Sequence, residues 1–103
     1  MRTVEVYVGE HFAGFLSESD TMKYSFEYLP NYTGSPVSYT MPVTQNRYNF
    51  ETFPPFFEGL LPEGYNLEAL LMKEKINKND YFSQLLTVGE DMVGDVIVRP
   101  VKR

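Results

Sequence analysis

Thr3-Val4-Glu5-Val6-Tyr7-Val8-Gly9-Glu10-His11-Phe12-Ala13-Gly14-Phe15-Leu16 is the stretch that decides the fold. Val4, Val6 and Val8 fall on one side of an extended chain, Thr3, Glu5 and Tyr7 on the other. Gly9-Glu10 interrupts the alternation with glycine at the first turn position, and a second apolar run follows from Phe12 to Leu16, which together spell a β-hairpin. Outward from it, Ser17-Glu18-Ser19-Asp20 is a polar loop. Met22 to Tyr28 is the cleanest strand, with Met22, Tyr24, Phe26 and Tyr28 on one face and Lys23, Ser25 and Glu27 on the other, ended by Leu29-Pro30. Val37-Ser38-Tyr39-Thr40-Met41 alternates between Pro36 and Pro42 and is expected as a fourth strand.

Residues 43–58 read as a packed aromatic loop holding Tyr48, Phe50, Phe53, Phe56 and Phe57, because Pro54-Pro55 forbids a regular helix or central strand there. After Leu60-Leu61-Pro62-Glu63-Gly64 the pattern turns helical to about Ile76, with Leu67, Leu70 and Leu71 at i, i+3, i+4 as its inward stripe. Asp80 is placed to N-cap a second helix with Phe82, Leu85 and Leu86 inward and Gly89 as its stop. Asp95 to Val101, rich in Val and Ile, is the last strand. The expected architecture is α+β: a small antiparallel-dominated sheet of about five strands with two helices packed on one face, one domain over residues 1–103.

The chain has 103 residues, no cysteine, one histidine and a net charge of −5. Absence of cysteine excludes a disulfide scaffold, a thiol nucleophile and thiolate metal sites. Charge is uneven: residues 1–68 carry three basic residues against nine acidic ones, −6, and residues 69–103 six against five, +1. An acidic surface repels phosphate, which argues against direct nucleic-acid binding and suits a basic protein partner. No apolar leader follows Met1 and no run approaches the length of a membrane span, so a soluble, cytoplasmic protein without a membrane is expected.

Chemistry is sparse. Gly89-Glu90-Asp91-Met92-Val93-Gly94 has the glycine spacing of a phosphate loop but lacks the following Lys-Ser/Thr and carries two acids where phosphate would approach; a helix stop and tight turn is the plainer reading. Glu90, Asp91 and Asp95 lack the spacing of a calcium loop, and His11 lies near the hairpin turn without a Ser or Asp pattern beside it. No catalytic residue, cofactor or metal is assigned. Eight Tyr and eight Phe exceed what a core of this size needs, so a surface aromatic patch for a protein partner is expected.

Several strings resemble the opening of HipA-type toxin kinases: Val6-Tyr7-Val8, Gly14-Phe15-Leu16, Tyr24-Ser25-Phe26-Glu27-Tyr28, and Pro36-Val37-Ser38-Tyr39-Thr40-Met41-Pro42. The more specific pair is Phe56-Phe57-Glu58-Gly59-Leu60-Leu61-Pro62-Glu63-Gly64 with Leu85-Leu86-Thr87-Val88-Gly89-Glu90-Asp91-Met92-Val93-Gly94-Asp95-Val96. Together they resemble the HipA N-terminal subdomain 1 over nearly the whole chain. Asp95 stands where that family usually has a small Ala and Glu90 where a basic residue is common. The family's nucleotide loop and catalytic and metal-binding aspartates lie downstream of this region and have no counterpart here.

A free-standing copy of the subdomain is similar to HipS, the small antitoxin subunit of three-gene HipB–HipS–HipT systems. The resemblance implies a non-enzymatic module that docks in trans on a HipT-like serine/threonine kinase and inhibits it, with a HipB-like DNA-binding protein in a ternary complex. The alternative it implies is an N-terminal structural subdomain of a longer HipA-like kinase. From the residues themselves, the expected contact site is Glu63, Gly64 and Tyr65. Pro62-Glu63-Gly64 turns tightly into the helix, Tyr65 falls outside the leucine stripe, and Glu63 offers a charge to a basic cleft.

Overall fold

In the computed structural model, residues 1–62, 64–89 and 95–101 are described, without the side chains of Gly64 and Tyr65. The elements are β1 (Arg2–Val8), β2 (His11–Glu18), β3 (Tyr24–Tyr28), β4 (Arg47–Phe50), α1 (Pro55–Glu58), α2 (Gly64–Glu74), α3 (Tyr81–Val88) and β5 (Val96–Pro100). The strands form one antiparallel sheet in the order β4-β3-β2-β1-β5. The fold class is α+β, as the hydrophobic periodicity implies.

The hairpin forms at Gly9, whose φ is +62°. Between Val6 and Tyr7 the register shifts, since Val6 pairs with Gly14 and Tyr7 with Phe12, so Ala13 is the extra residue of a β-bulge. Gly14 is required for a different reason: a Cβ there would lie 2.1 Å from the Glu27 carbonyl oxygen of β3. One row of apolar side chains, Val4, Leu16, Phe26 and Tyr48, crosses four strands in register. Val4, Leu16 and Phe26 are fully buried, and Phe57, Phe82 and Leu85 of α1 and α3 close over the same face.

Several local readings change: Ser17 and Glu18 belong to β2 and not to the loop, and Met22, exposed and at φ +62°, lies before β3. Val37–Met41 is not a strand. Val37 and Met41 are buried while Tyr39 between them is 99% exposed, which no period-2 chain allows. A single Ser38–Met41 bridge closes it into a turn, and the Tyr28 hydroxyl holds it by donating to the Met41 carbonyl and accepting from the Val37 amide (2.9 Å). The fourth strand is instead Arg47–Phe50, inside the segment read as a loop; Tyr48 and Phe50 turn inward at this sheet edge. The Pro54-Pro55 pair admits one helical turn, because Pro55 sits at N1, where the amide hydrogen has no intrahelical partner anyway.

The two longer helices differ in how they are held. In α3, Asp80 caps the N-terminus by accepting from the Ser83 amide (3.1 Å), and Phe82 and Leu85 are fully buried. Gly89 ends it in a right-handed conformation; glycine is needed because a Cβ would lie 2.3 Å from the Val98 carbonyl oxygen of β5. In α2 the expected stripe of Leu67, Leu70 and Leu71 is only half-buried, and none of its described side chains belongs to the core or packs against it.

A charge cluster ties the N-terminal strand to α3. The Arg2 guanidinium donates to Glu18 (2.8 Å), Asp80 (2.9 Å) and the Ser83 hydroxyl (2.8 Å), and stacks 4.9 Å above the Phe82 ring. Tyr24 donates to the other oxygen of Glu18, and burial together with that bond pushes its hydroxyl pKa up to about 12. Burial alone would raise the Asp80 pKa, but hydrogen bonds from Arg2 and Ser83 outweigh it and hold the carboxyl below its ordinary value.

Leu85→Ala is expected to cost ~2–5 kcal/mol, the range for a fully buried leucine, and Leu70→Ala less, ~1–2 kcal/mol, because Leu70 is only partly withdrawn from water and lies outside the core. Urea titrations of the two variants check this. Because the folded pKa of Asp80 is depressed, its contribution is complete above the unfolded value and is lost as pH falls through that value toward the folded one. Urea midpoints measured from pH 7 to pH 3 should therefore drop more steeply for the wild type than for Asp80→Asn, which keeps the cap and loses the charge.

Candidate partner-binding surface

Leu61, buried to 8% exposure, anchors the approach to α2, and the amides of Leu60 and Leu61 are bonded back to Phe57 (3.1 Å) and Glu58 (3.1 Å). The chain therefore enters α2 from a fixed point on the core. Of the expected contact residues, Gly64 and Tyr65 form the first helical residues of α2, with side chains outside the described set, and Glu63 lies outside the described residues altogether. Beyond them the helix carries exposed Asn66, Glu68 and Ala69, half-buried Leu67, Leu70 and Leu71, and Met72 at 81% exposure. An apolar helix face left out of the core is what a docking element presents before its partner covers it.

The aromatic surplus resolves into two groups. Phe53 and Phe57 are core, and Tyr48, Phe50 and Phe56 pack against it, so the 48–57 segment is spent on folding. A second group lies on the opposite face of the sheet. Tyr7 and Phe12 stack at 5.1 Å, Phe15 meets Phe12 edge-on at 5.3 Å, and the Arg99 guanidinium sits 5.0 Å over the Tyr7 ring. These three rings are outside the core cluster and only half-buried. Sequence reading missed this set as a unit; the signal was Tyr7 opposite the valine face of β1, but its alignment with Phe12 depends on the bulge.

The remaining candidates show no catalytic or metal-binding arrangement among the described residues. His11 is exposed and its imidazole makes no hydrogen bond among the described residues; with Phe12, Leu29 and Tyr32 it lines an open cleft of about 530 Å³. Glu90 and Asp91 lie outside the described residues, as does the rest of the loop from Glu90 to Gly94; Asp95 is exposed, and its carbonyl accepts from the Gly9 amide at 2.7 Å. Among the described residues no three acidic or histidine side chains gather as a metal site, and no helix is long and apolar enough to cross a membrane.

Comparisons with known proteins bear on the family and the fold. The HipA N-terminal domain family matches residues 4–99. An uncharacterized protein of Haemophilus influenzae is 33% identical over 103 residues, covering 100% of this chain and 96% of that protein. A solved N-terminal domain of HipA toxin superposes with a TM-score of 0.81 at 30% identity, over 100% of this chain and 95% of that one. A chain from the Shewanella oneidensis MR-1 complex of the toxin–antitoxin proteins HipA and HipB with operator DNA shares the fold, with a TM-score of 0.74 at 22% identity. The match covers 97% of this chain but 24% of that one. With the family matched over nearly its full length, the chain belongs to the HipA N-terminal domain family, a non-catalytic fold associated with toxin–antitoxin systems.

Proposed function

We propose that this chain is a non-enzymatic, cytoplasmic binding module that docks in trans on a HipT-like serine/threonine kinase and inhibits it, acting as an antitoxin. The observation that carries this reading is α2: an amphipathic helix that starts from a rigid anchor at Leu61 and keeps its leucines out of the core. Size supports it as well. In the Haemophilus influenzae relative the matched region is 96% of the protein, so there the subdomain is nearly the whole molecule. The contact centres on Glu63, Gly64 and Tyr65 at the start of α2. Glu63 meets a basic cleft, Gly64 lets the partner backbone approach, and Tyr65 is the aromatic anchor. A HipB-like DNA-binding protein joins through the kinase. This chain brings no DNA contact of its own, in keeping with its net charge of −5.

The second reading, an N-terminal subdomain that steadies a longer HipA-like kinase, is favoured by the Shewanella oneidensis chain, in which the matched region is only 24%. Whether the reading frame continues past Arg103 separates the two.

Co-expression with a HipT-like kinase that lacks this subdomain is expected to restore growth. Tyr65→Ala should leave the melting temperature nearly unchanged, weaken kinase binding by ~2 kcal/mol or more, the scale of an anchoring aromatic, and abolish the rescue. Rescue by Tyr65→Ala at wild-type dose would remove Tyr65 from the contact. The purified protein is expected to show no heat of ATP binding by calorimetry and no shift of operator DNA at physiological salt; saturable micromolar ATP binding would overturn the non-enzymatic reading.

A further inference from the structure

An eleven-residue helix is marginal on its own in water, and α2 takes no hold of the core through its described side chains. Its direction is therefore set at its ends. The C-terminal end has a specific construction. Lys75 adopts the left-handed conformation at φ +56°, and the Ile76 amide bonds back to the Leu71 carbonyl at 3.1 Å, the six-to-one bond that stops a helix sharply. Asn77, Lys78 and Asn79 follow, all exposed, yet the segment is not loose. The Asp80 amide donates to the Asn77 carbonyl (3.0 Å) and the Asn79 amide to the Asn77 side-chain oxygen (2.8 Å).

Beneath this turn lies Gln84, a polar residue of α3 only 1% exposed. Its Nε2 donates to the carbonyls of Lys78 (3.1 Å) and Asn77 (3.4 Å). Two carbonyl partners require the amide nitrogen there, since the side-chain oxygen has nothing to donate. The other end of α3 is seated against β5 through the Val98 amide bonded to the Gly89 carbonyl (3.0 Å), and the Arg2 cluster fixes its cap. Gln84 thus transmits the position of a rigid helix to the root of α2.

We infer that Gln84 is a positioning residue for partner binding: by holding the carbonyls of Asn77 and Lys78 it sets the angle at which α2 leaves the domain, and it acts on the kinase through α2 without touching it. This rests on the docking reading above. An apolar side chain of similar length at position 84 leaves the α3 face packed and frees the root of α2, so the helix must be ordered again on each binding event, which lowers affinity.

The test uses the full chain and a purified HipT-like kinase lacking this subdomain, with affinities expressed per folded molecule. Gln84→Met is expected to weaken binding about tenfold, the equivalent of one buried hydrogen-bond interaction, while sheet amides keep their hydrogen-exchange protection. On a Tyr65→Ala background the same substitution should cost under about threefold, because residues that act through one contact are not additive. Wild-type affinity of Gln84→Met, or an equal loss in both backgrounds, overturns the positioning role and leaves docking intact; no binding by the wild type overturns both. Should Gln84→Met fail to fold, the wild type still decides: the Asp80 amide, in an exposed turn, must be protected to within about tenfold of the α3 amides, and free exchange there refutes the mount.

Discussion

Everything in this domain depends on a sheet that, among the described residues, carries its core on one face only. Phe26 sits at the centre of that face, fully buried, with Tyr28 at 4.8 Å edge-on and Phe57 at 6.1 Å. Because its row runs in register from Val4 through Leu16 to Tyr48, a slip of one residue in any strand would turn the row outward and bring charge into the core. The helices have then to be seated where that row is, and α1 and α3 are. With that face occupied by two short helices, α2 and the Tyr7–Phe12–Phe15 surface on the far side are left as apolar features beyond folding's needs.

Much of the fold was legible because most of its elements are locally consistent. Alternation gives β1 and most of β3, the turn glycine with the apolar run after it gives β2, Val and Ile content gives β5, and the Asp80 cap with Phe82 and Leu85 gives α3 almost to the residue. The failures have a common cause in side-chain hydroxyls and register, which periodicity does not encode. Val37 to Met41 looks like a strand because its two buried residues are apolar, yet what holds it is one phenol, Tyr28, standing in for a ladder. Arg47–Phe50 is an edge strand too short to stand out beside the prolines that follow. The cluster around Arg2 joins residues 78 and 81 positions apart, and no local pattern could have revealed it.

The candidate site was legible in another way. Pro62-Glu63-Gly64 marks a turn into a helix, and a helix does begin at Gly64. What the pattern got wrong is the destination of the leucine stripe. An i, i+3, i+4 spacing says that one face of a helix is apolar; it does not say whether that face is covered by the same chain or by another. Family membership came from paired strings some 20 residues apart, a correlation that carries ancestry and no energetics.

That ambiguity bears on how such a module could work. A helix packed into its own core offers a partner only its polar side, whereas α2 keeps half-buried leucines outside the core cluster and exposes Met72. The danger of such a face is indiscriminate sticking, and charge limits it. Residues 1–68 carry −6, so on the proposed docking reading encounter is steered toward a basic cleft and away from other acidic proteins. On that reading specificity rests on the angle at which the helix is held, since apolar contact is undirected and geometry discriminates one groove from another. A buried amide such as Gln84 suits that task better than leucine would, because its bonds fix direction while packing fixes only distance.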